Sequence, residues 1–343
     1  MKALLKVKDG PGNITLQDVK EPVPGPGEVK IKVEAAGICG TDIKIRQGHA
    51  WSNPPVILGH EFCGTIVAVG DAVKHWSVND RVVSETAQVI CGHCKYCRTG
   101  SYLMCKDRLS IGYGVNGAFA EYCVVRQDLL HRLSDTIDFN SGSLCEPLAV
   151  AVHAVYKKAD LSPTDLAVVF GPGPIGLLTA QLLKSFGATV LVCGLSADND
   201  RLRLAKELGI DFTINLETED LEMFLKDVLH CPGIDIVFDC SGTNAAISKS
   251  LELLKKKGTL VQIGLSNAPM MLEYGEIVNK ELSILGSFGH SWIDWERALA
   301  LIASGKVLTK PLITHEFPLS QWEKAFVVAE NGTGIKVLIH PHL

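Results

Sequence analysis

The chain has 343 residues, 47% of them hydrophobic, and a formal net charge of −5. This length accommodates two domains, and the apolar fraction excludes a disordered chain. An acidic balance argues against a duplex-binding protein, so nucleic acid is not an expected partner.

Eleven cysteines is an odd number. Outside one cluster they lie scattered, unlike the paired spacing of a secreted disulfide framework. Reduced thiols and a cytoplasmic setting are therefore expected. The opening "MKALLKVKDG" lacks the apolar stretch and small-residue cleavage site of a secretory signal. The most membrane-like window, residues 166–183, is interrupted by prolines and glycines, so no membrane partner is expected.

Up to about residue 150 the texture is short strands and glycine-rich turns. "EVKIKVEAAG" alternates Val29, Ile31 and Val33 against Lys30, Lys32 and Glu34, the period of a half-buried strand. "AAGICGTD" then sets Cys39 on a loop between Gly37 and Gly40, with Thr41 two residues on and Lys44 and Arg46 following. "LGHEFCG" places His60 and Glu61 immediately before a further strand, "FCGTIVAVG".

"CGHCKYCRTGSYLMC" carries Cys91, Cys94, Cys97 and Cys105. Four thiolates at this spacing suit a closed tetrahedral zinc site, which leaves no position for substrate; an iron–sulfur cluster is the chemical alternative. "AFAEYCVVR" is another strand, and "LCEPLAVAVHA" supplies Glu146 beside Pro147 where the texture begins to change. One thiolate, one imidazole and carboxylate oxygens, from Cys39, His60, Glu61 and Glu146, make a coherent zinc shell with room for water or an alcohol. Spacing alone does not join residues so far apart.

Beyond residue 165, apolar runs (Leu166–Phe170, 189–193, Ile234–Asp239, 259–263) alternate with helical stretches. That alternation predicts a parallel sheet covered on both faces. "VVFGPGPIG" holds Gly171, Gly173 and Gly176 in the G-x-G-x-x-G spacing, after a strand and opening a helix through Pro174 and Ile175. The three glycines serve a tight turn, close approach of a pyrophosphate and helix–strand packing, and the helix N-terminus faces the phosphates.

The next strand, "TVLVCG", ends in Gly194, where an acid ordinarily binds the ribose hydroxyls of NAD. Its loss makes room for a 2′-phosphate, with Ser196 and Arg201 as partners. Asp198 and Asp200 either repel that phosphate or replace the acid, so NAD and NADP are both allowed. The tail adds a helix near 295–304 and a last strand, "IKVLIHP". The economical arrangement is a catalytic lobe built from both chain ends with a nucleotide domain inserted between them.

The motifs "GICGTD", "GHEFCG", "CGHCKYC…C", "CEPLAVAVHA" and "GPGPIG", in this order over essentially the whole chain, resemble the zinc-containing medium-chain dehydrogenases. The likeness is to the polyol branch, which includes sorbitol, threonine and arabitol-phosphate dehydrogenases. It implies an α/β fold: a GroES-like mixed-β catalytic domain at 1–154 and 290–343, with a structural zinc lobe near 88–108. A doubly wound Rossmann domain would fill 155–289. It also implies that Cys39, His60, Glu61 and Glu146 bind a catalytic zinc, Glu146 directly or through water. Manganese or cobalt would suit so oxygen-rich a shell. The four clustered cysteines would bind a structural zinc. Thr41 would join the proton relay, and Ile263, Gly264, Leu265, Ser287 and Phe288 would line the nicotinamide half.

The activity this implies is interconversion of a secondary alcohol of a polyol, or polyol phosphate, with its ketose by hydride transfer to NAD or NADP. L-threonine or a simple diol is the alternative substrate. A non-catalytic zinc-ribbon module with a vestigial nucleotide fold is the alternative from another class. Gly289 and His290 stand where sorbitol dehydrogenases have arginine and an aromatic residue, which argues against sorbitol itself. Lys44 and Arg46 are either contacts for a substrate phosphate or solvated charges. A homo-oligomer, dimer or tetramer, is expected.

Overall fold

The computed structural model describes residues 1–231, 233–266 and 269–343. The chain divides into two compact units, Met1–Glu146 with Ser291–Ser304 and Thr309–Leu343, and Pro147–His290 with Gly305–Leu308. The first crossing falls inside a single helix, Cys145–Lys158, whereas the resemblance implies 154/155. Residues 305–308 belong to the second unit because buried Gln181 clasps Leu308. The Leu308 N–H donates to Oε1 at 2.7 Å, and Nε2 donates to the Leu308 carbonyl at 3.2 Å.

The first unit holds β1 (Lys2–Lys6), β2 (Ile14–Asp18), β3 (Glu28–Gly37), β4 (Val56–Ile57), β5 (Glu61–Val69), β6 (Arg81–Ser84), β7 (Tyr122–Arg126) and β8 (Leu130–Arg132). The alternation read in β3 is real: Val29, Ile31, Val33 and Ala35 are fully buried, and the first three join a core with Leu58, Phe62, Phe119 and Phe326. β5 starts one residue earlier than the apolar run suggests, at Glu61, because Glu61 pairs with Gly37 at the end of β3.

The second unit holds β9 (Leu166–Phe170), β10 (Thr189–Gly194), β11 (Phe212–Asn215), β12 (Ile234–Asp239), β13 (Leu254–Gln262) and β14 (Ser283–Gly286). All pair in parallel, in the order β11-β10-β9-β12-β13-β14. Counted from β9 this is the 3-2-1-4-5-6 order of a doubly wound dinucleotide fold, with its switch point between β9 and β12. The α/β class expected from the alternating texture is the one observed. Every residue of β9 is buried, as a central parallel strand requires.

β15 (Ile313–Pro318) and β16 (Lys336–His340) return to the first unit and extend its sheet to β15-β16-β3-β5-β6-β8, with β7 also on β3. The tail helix runs Trp292–Ala303, earlier than 295–304. Ser291 caps it, with its N–H and hydroxyl donating to Asp294 at 2.9 and 2.6 Å. Among the described residues no helix is long and apolar enough to cross a membrane.

Candidate active site

The register that pairs Gly37 with Glu61 gathers the first set of donors. Cys39 lies two residues beyond β3, while His60 and Glu61 open β5 beside it. A Cβ on Gly37 would stand 2.5 Å from Glu61 Oε2, so the glycine is what admits the carboxylate. Gly59 has φ +92, and a Cβ there would meet the Phe119 ring at 2.7 Å; glycine alone lets the chain turn His60 inward. The result is a Cys39 sulfur, a His60 nitrogen and a Glu61 oxygen all within 4.8 Å of one another.

Two residues that the sequence reading passed over shape this cluster. Asp42, fully buried in the helix Gly40–Gln47, accepts the Cys39 N–H at 2.9 Å through Oδ2. Its Oδ1 faces His60 Nδ1 at 3.7 Å, and neither atom has a hydrogen-bond partner among the described residues. Lys336 of β16 is buried and donates to Glu61 Oε2 at 2.5 Å and to the Ile38 carbonyl at 3.2 Å. Tyr113 packs edge-on against His60 with ring centroids 5.7 Å apart. Asp42 carried a legible signal, as the third helical residue after a loop. Lys336 carried none, since a lysine on a terminal strand reads as exposed.

The electrostatics favour a cation. Burial pushes the Glu61 carboxyl up, Lys336 opposes the shift, and the nearby Glu146 charge adds to it. Burial disfavours the His60 imidazolium, yet Asp42 and Cys39 together hold its pKa well above the ordinary histidine value. The Asp42, Glu61 and Glu146 carboxylates act on this region, with the Lys336 ammonium set against them. Buried charge of one sign is costly unless compensated, and a divalent cation supplies the compensation. A thiolate, imidazole and carboxylate are zinc donors, and three of them leave a position open.

Glu146, half-buried in the first turn of Cys145–Lys158, is near enough to act on Glu61 but is not one of the three converging donors. Thr41 sits half-buried in the first turn of Gly40–Gln47. Arg46 is paired with Glu330 at 2.8 Å and stacked over Phe326, which favours the structural side of its two readings over a substrate phosphate.

The four clustered cysteines also converge, with Cys91, Cys94, Cys97 and Cys105 sulfurs within 4.8 Å of one another. The Cys94–Cys97 and Cys91–Cys97 sulfur separations are 3.5 and 3.9 Å. A tetrahedron with metal–sulfur bonds of about 2.3 Å has edges of roughly 3.8 Å, so these positions fit one ion. The Cys94 and His93 backbone N–H groups draw the Cys91 thiol down to about 6, toward the thiolate that a metal needs.

In the second unit the glycine loop has the geometry its spacing predicts. Gly171 has φ +90, and a Cβ on Gly176 would lie 2.0 Å from the Gly171 carbonyl. Gly173 is the N-cap of the helix Pro174–Ser185, with Pro174 and Ile175 opening its first turn. A cavity of about 790 Å³ lies over the C-terminal ends of β9, β10 and β12, lined among others by Gly171, Gly173, Gly194, Asp198, Arg201 and Ser241. Ile263, Gly264 and Leu265 follow β13, and the Ile263 and Gly264 N–H groups donate to the Asp239 carbonyl at 2.9 and 2.8 Å. Ser287 is buried and Phe288 half-exposed just beyond β14.

A three-donor metal cluster in one unit, and a dinucleotide sheet with an open glycine loop in the other, define a metal-assisted, nucleotide-dependent oxidoreductase. The chain belongs to the zinc-type alcohol dehydrogenase family. Residues 25–135 match the alcohol dehydrogenase GroES-like domain, and 174–304 match the zinc-binding dehydrogenase domain. It is 44% identical to sorbitol dehydrogenase of Halalkalibacterium halodurans, covering 99% of each chain. It is 38% identical to D-arabitol-phosphate dehydrogenase of Enterococcus avium, covering 99% of this chain and 97% of that one. A structure from Sinorhizobium meliloti described as a zinc-binding dehydrogenase bound to NADP superposes with a TM-score of 0.92 at 34% identity, covering 99% of each chain. The protein is thus an alcohol dehydrogenase that uses zinc and NAD(P), with a GroES-like unit and a Rossmann-type sheet. Family membership sets aside the non-catalytic alternative.

Proposed function

We propose that the protein interconverts a secondary alcohol of a polyol, or polyol phosphate, with the corresponding ketose. The observation that carries this is the donor set at β3 and β5. Cys39, His60 and Glu61 converge with Glu146 close by, an oxygen-rich cluster that leaves room for an alcohol oxygen. Similarity to a sorbitol and an arabitol-phosphate dehydrogenase supports the polyol class.

Cys39, His60 and Glu61 would hold the zinc, with Glu146 bound directly or through water. Once bound, the ion supplies Lewis acidity that lowers the pKa of a substrate hydroxyl. Thr41 offers its hydroxyl to pass the released proton outward. Asp42 holds the Cys39 N–H and faces the His60 ring, and Lys336 keeps one Glu61 oxygen engaged, so the donors are held before substrate arrives. Gly171, Gly173 and the Pro174 helix end would bind the pyrophosphate, with Ile263–Leu265 and Ser287–Phe288 along the nicotinamide. The clustered cysteines would hold the structural zinc.

The same reading places the enzyme in the cytoplasm as a homo-oligomer. Exposed Ile284 on the edge strand β14, and exposed Tyr274 and Val278 on the helix Tyr274–Asn279, support self-association. The deciding assay offers polyols, polyol phosphates, simple diols and L-threonine with each cofactor. Turnover of a polyol or its phosphate is expected, whereas activity confined to L-threonine or to diols overturns the assignment.

A further inference from the structure

The end of β10 lacks the acid that selects NAD, and relatives of this chain include one bound to NADP. The local hydrogen bonds nevertheless favour one cofactor. A 2′-phosphate would need the donors that follow Gly194, namely the backbone N–H groups of Leu195 and Ser196 and the Arg201 guanidinium. Each already serves a carboxylate. The Leu195 N–H donates to Asp198 Oδ2 at 3.1 Å, and Arg201 Nη1 donates to Asp198 Oδ1 at 3.1 Å. The Ser196 N–H donates to Glu217 Oε2 at 2.8 Å.

Glu217 lies in the turn two residues beyond the neighbouring strand. β11 pairs Asn215 with Gly194, the Leu216 N–H donates to the Gly194 carbonyl at 2.9 Å, and Asn215 Nδ2 donates to Ser196 Oγ at 3.2 Å. The sheet therefore fixes Glu217 beside the position of the missing acid. Asp200 takes no part, since it pairs with Arg203 at 2.9 Å. A doubly charged phosphate entering here would have to displace two carboxylates from their donors and remain beside them, and of those donors Arg201 alone carries a charge to offset the repulsion. Ribose hydroxyls can instead donate to those same carboxylates.

We propose that Asp198 and Glu217 jointly replace the absent acid and select NAD over NADP, a proposal that rests on the dinucleotide reading of this site. The test is binding of NADH and NADPH to the purified protein without substrate, followed by nucleotide fluorescence. Wild type should bind NADH at least about tenfold more tightly. Glu217→Gln keeps an oxygen for the Ser196 N–H but removes the charge, and should narrow that preference about five- to tenfold. Asp198→Asn combined with it should narrow it further, with circular dichroism confirming an intact fold. Equal or tighter NADPH binding by wild type, or an unchanged ratio in Glu217→Gln, overturns the proposal alone. Failure to bind either nucleotide overturns the site reading and the proposal with it.

Discussion

At the scale of single residues, the metal cluster depends on a lysine that sequence reasoning had no way to place. Lys336 lies 2.5 Å from Glu61, and both are buried. Breaking a buried pair from one side strands the other charge, at a cost of about 3–5 kcal/mol. Lys336→Met should therefore lower stability, and more so after chelation than with zinc bound, because the ion gives Glu61 a second compensating charge. Thermal melts with and without chelator measure this; equal losses in the two states would mean that Glu61 does not share its charge with the ion. Asp42 and Lys336 mark the limit of legibility here. The donors announced themselves by residue type and motif, while their supports are ordinary residues given a role by burial and register.

At the scale of elements, the sequence was informative where burial is periodic and silent where it is not. β3, β9 and β12 match their apolar patterns end to end, because alternation or full burial imposes one. β14, at the sheet edge and mostly exposed, carries no such pattern and was not anticipated. Nor was the buried polar chain that ties the cysteine lobe to its unit. Tyr102, between Cys97 and Cys105, donates its hydroxyl to Glu85, whose other oxygen lies 3.3 Å from His131 Nε2. His131 reaches Glu296 through Nδ1 and stacks on Trp295 with rings 5.5 Å apart. Tyr102→Phe removes one donor from a buried carboxylate, worth about 1–3 kcal/mol. Urea unfolding should show that loss with zinc content unchanged; a drop in zinc content instead would show that the chain organises the metal lobe itself.

At the scale of the whole molecule, the two units divide the labour in a way that mutation can separate. The converging donors Cys39, His60 and Glu61 all belong to the first unit, while every residue lining the 790 Å³ cavity belongs to the second. The order of motifs along the chain made that division legible, but not the convergence within each unit, which strand register alone creates. Cys39→Ala removes one donor from the cluster and leaves the glycine loop and its helix untouched. Lewis-acid assistance is worth several kcal/mol, so kcat should fall by about 10²- to 10⁴-fold. NADH affinity should stay within about a factor of two of wild type, since Cys39→Ala changes no residue that lines the cavity. Steady-state kinetics and NADH fluorescence titration on the same preparation check both halves together. Loss of nucleotide binding alongside activity would mean that the two sites are energetically one, and that the cavity in the second unit does not by itself account for cofactor affinity.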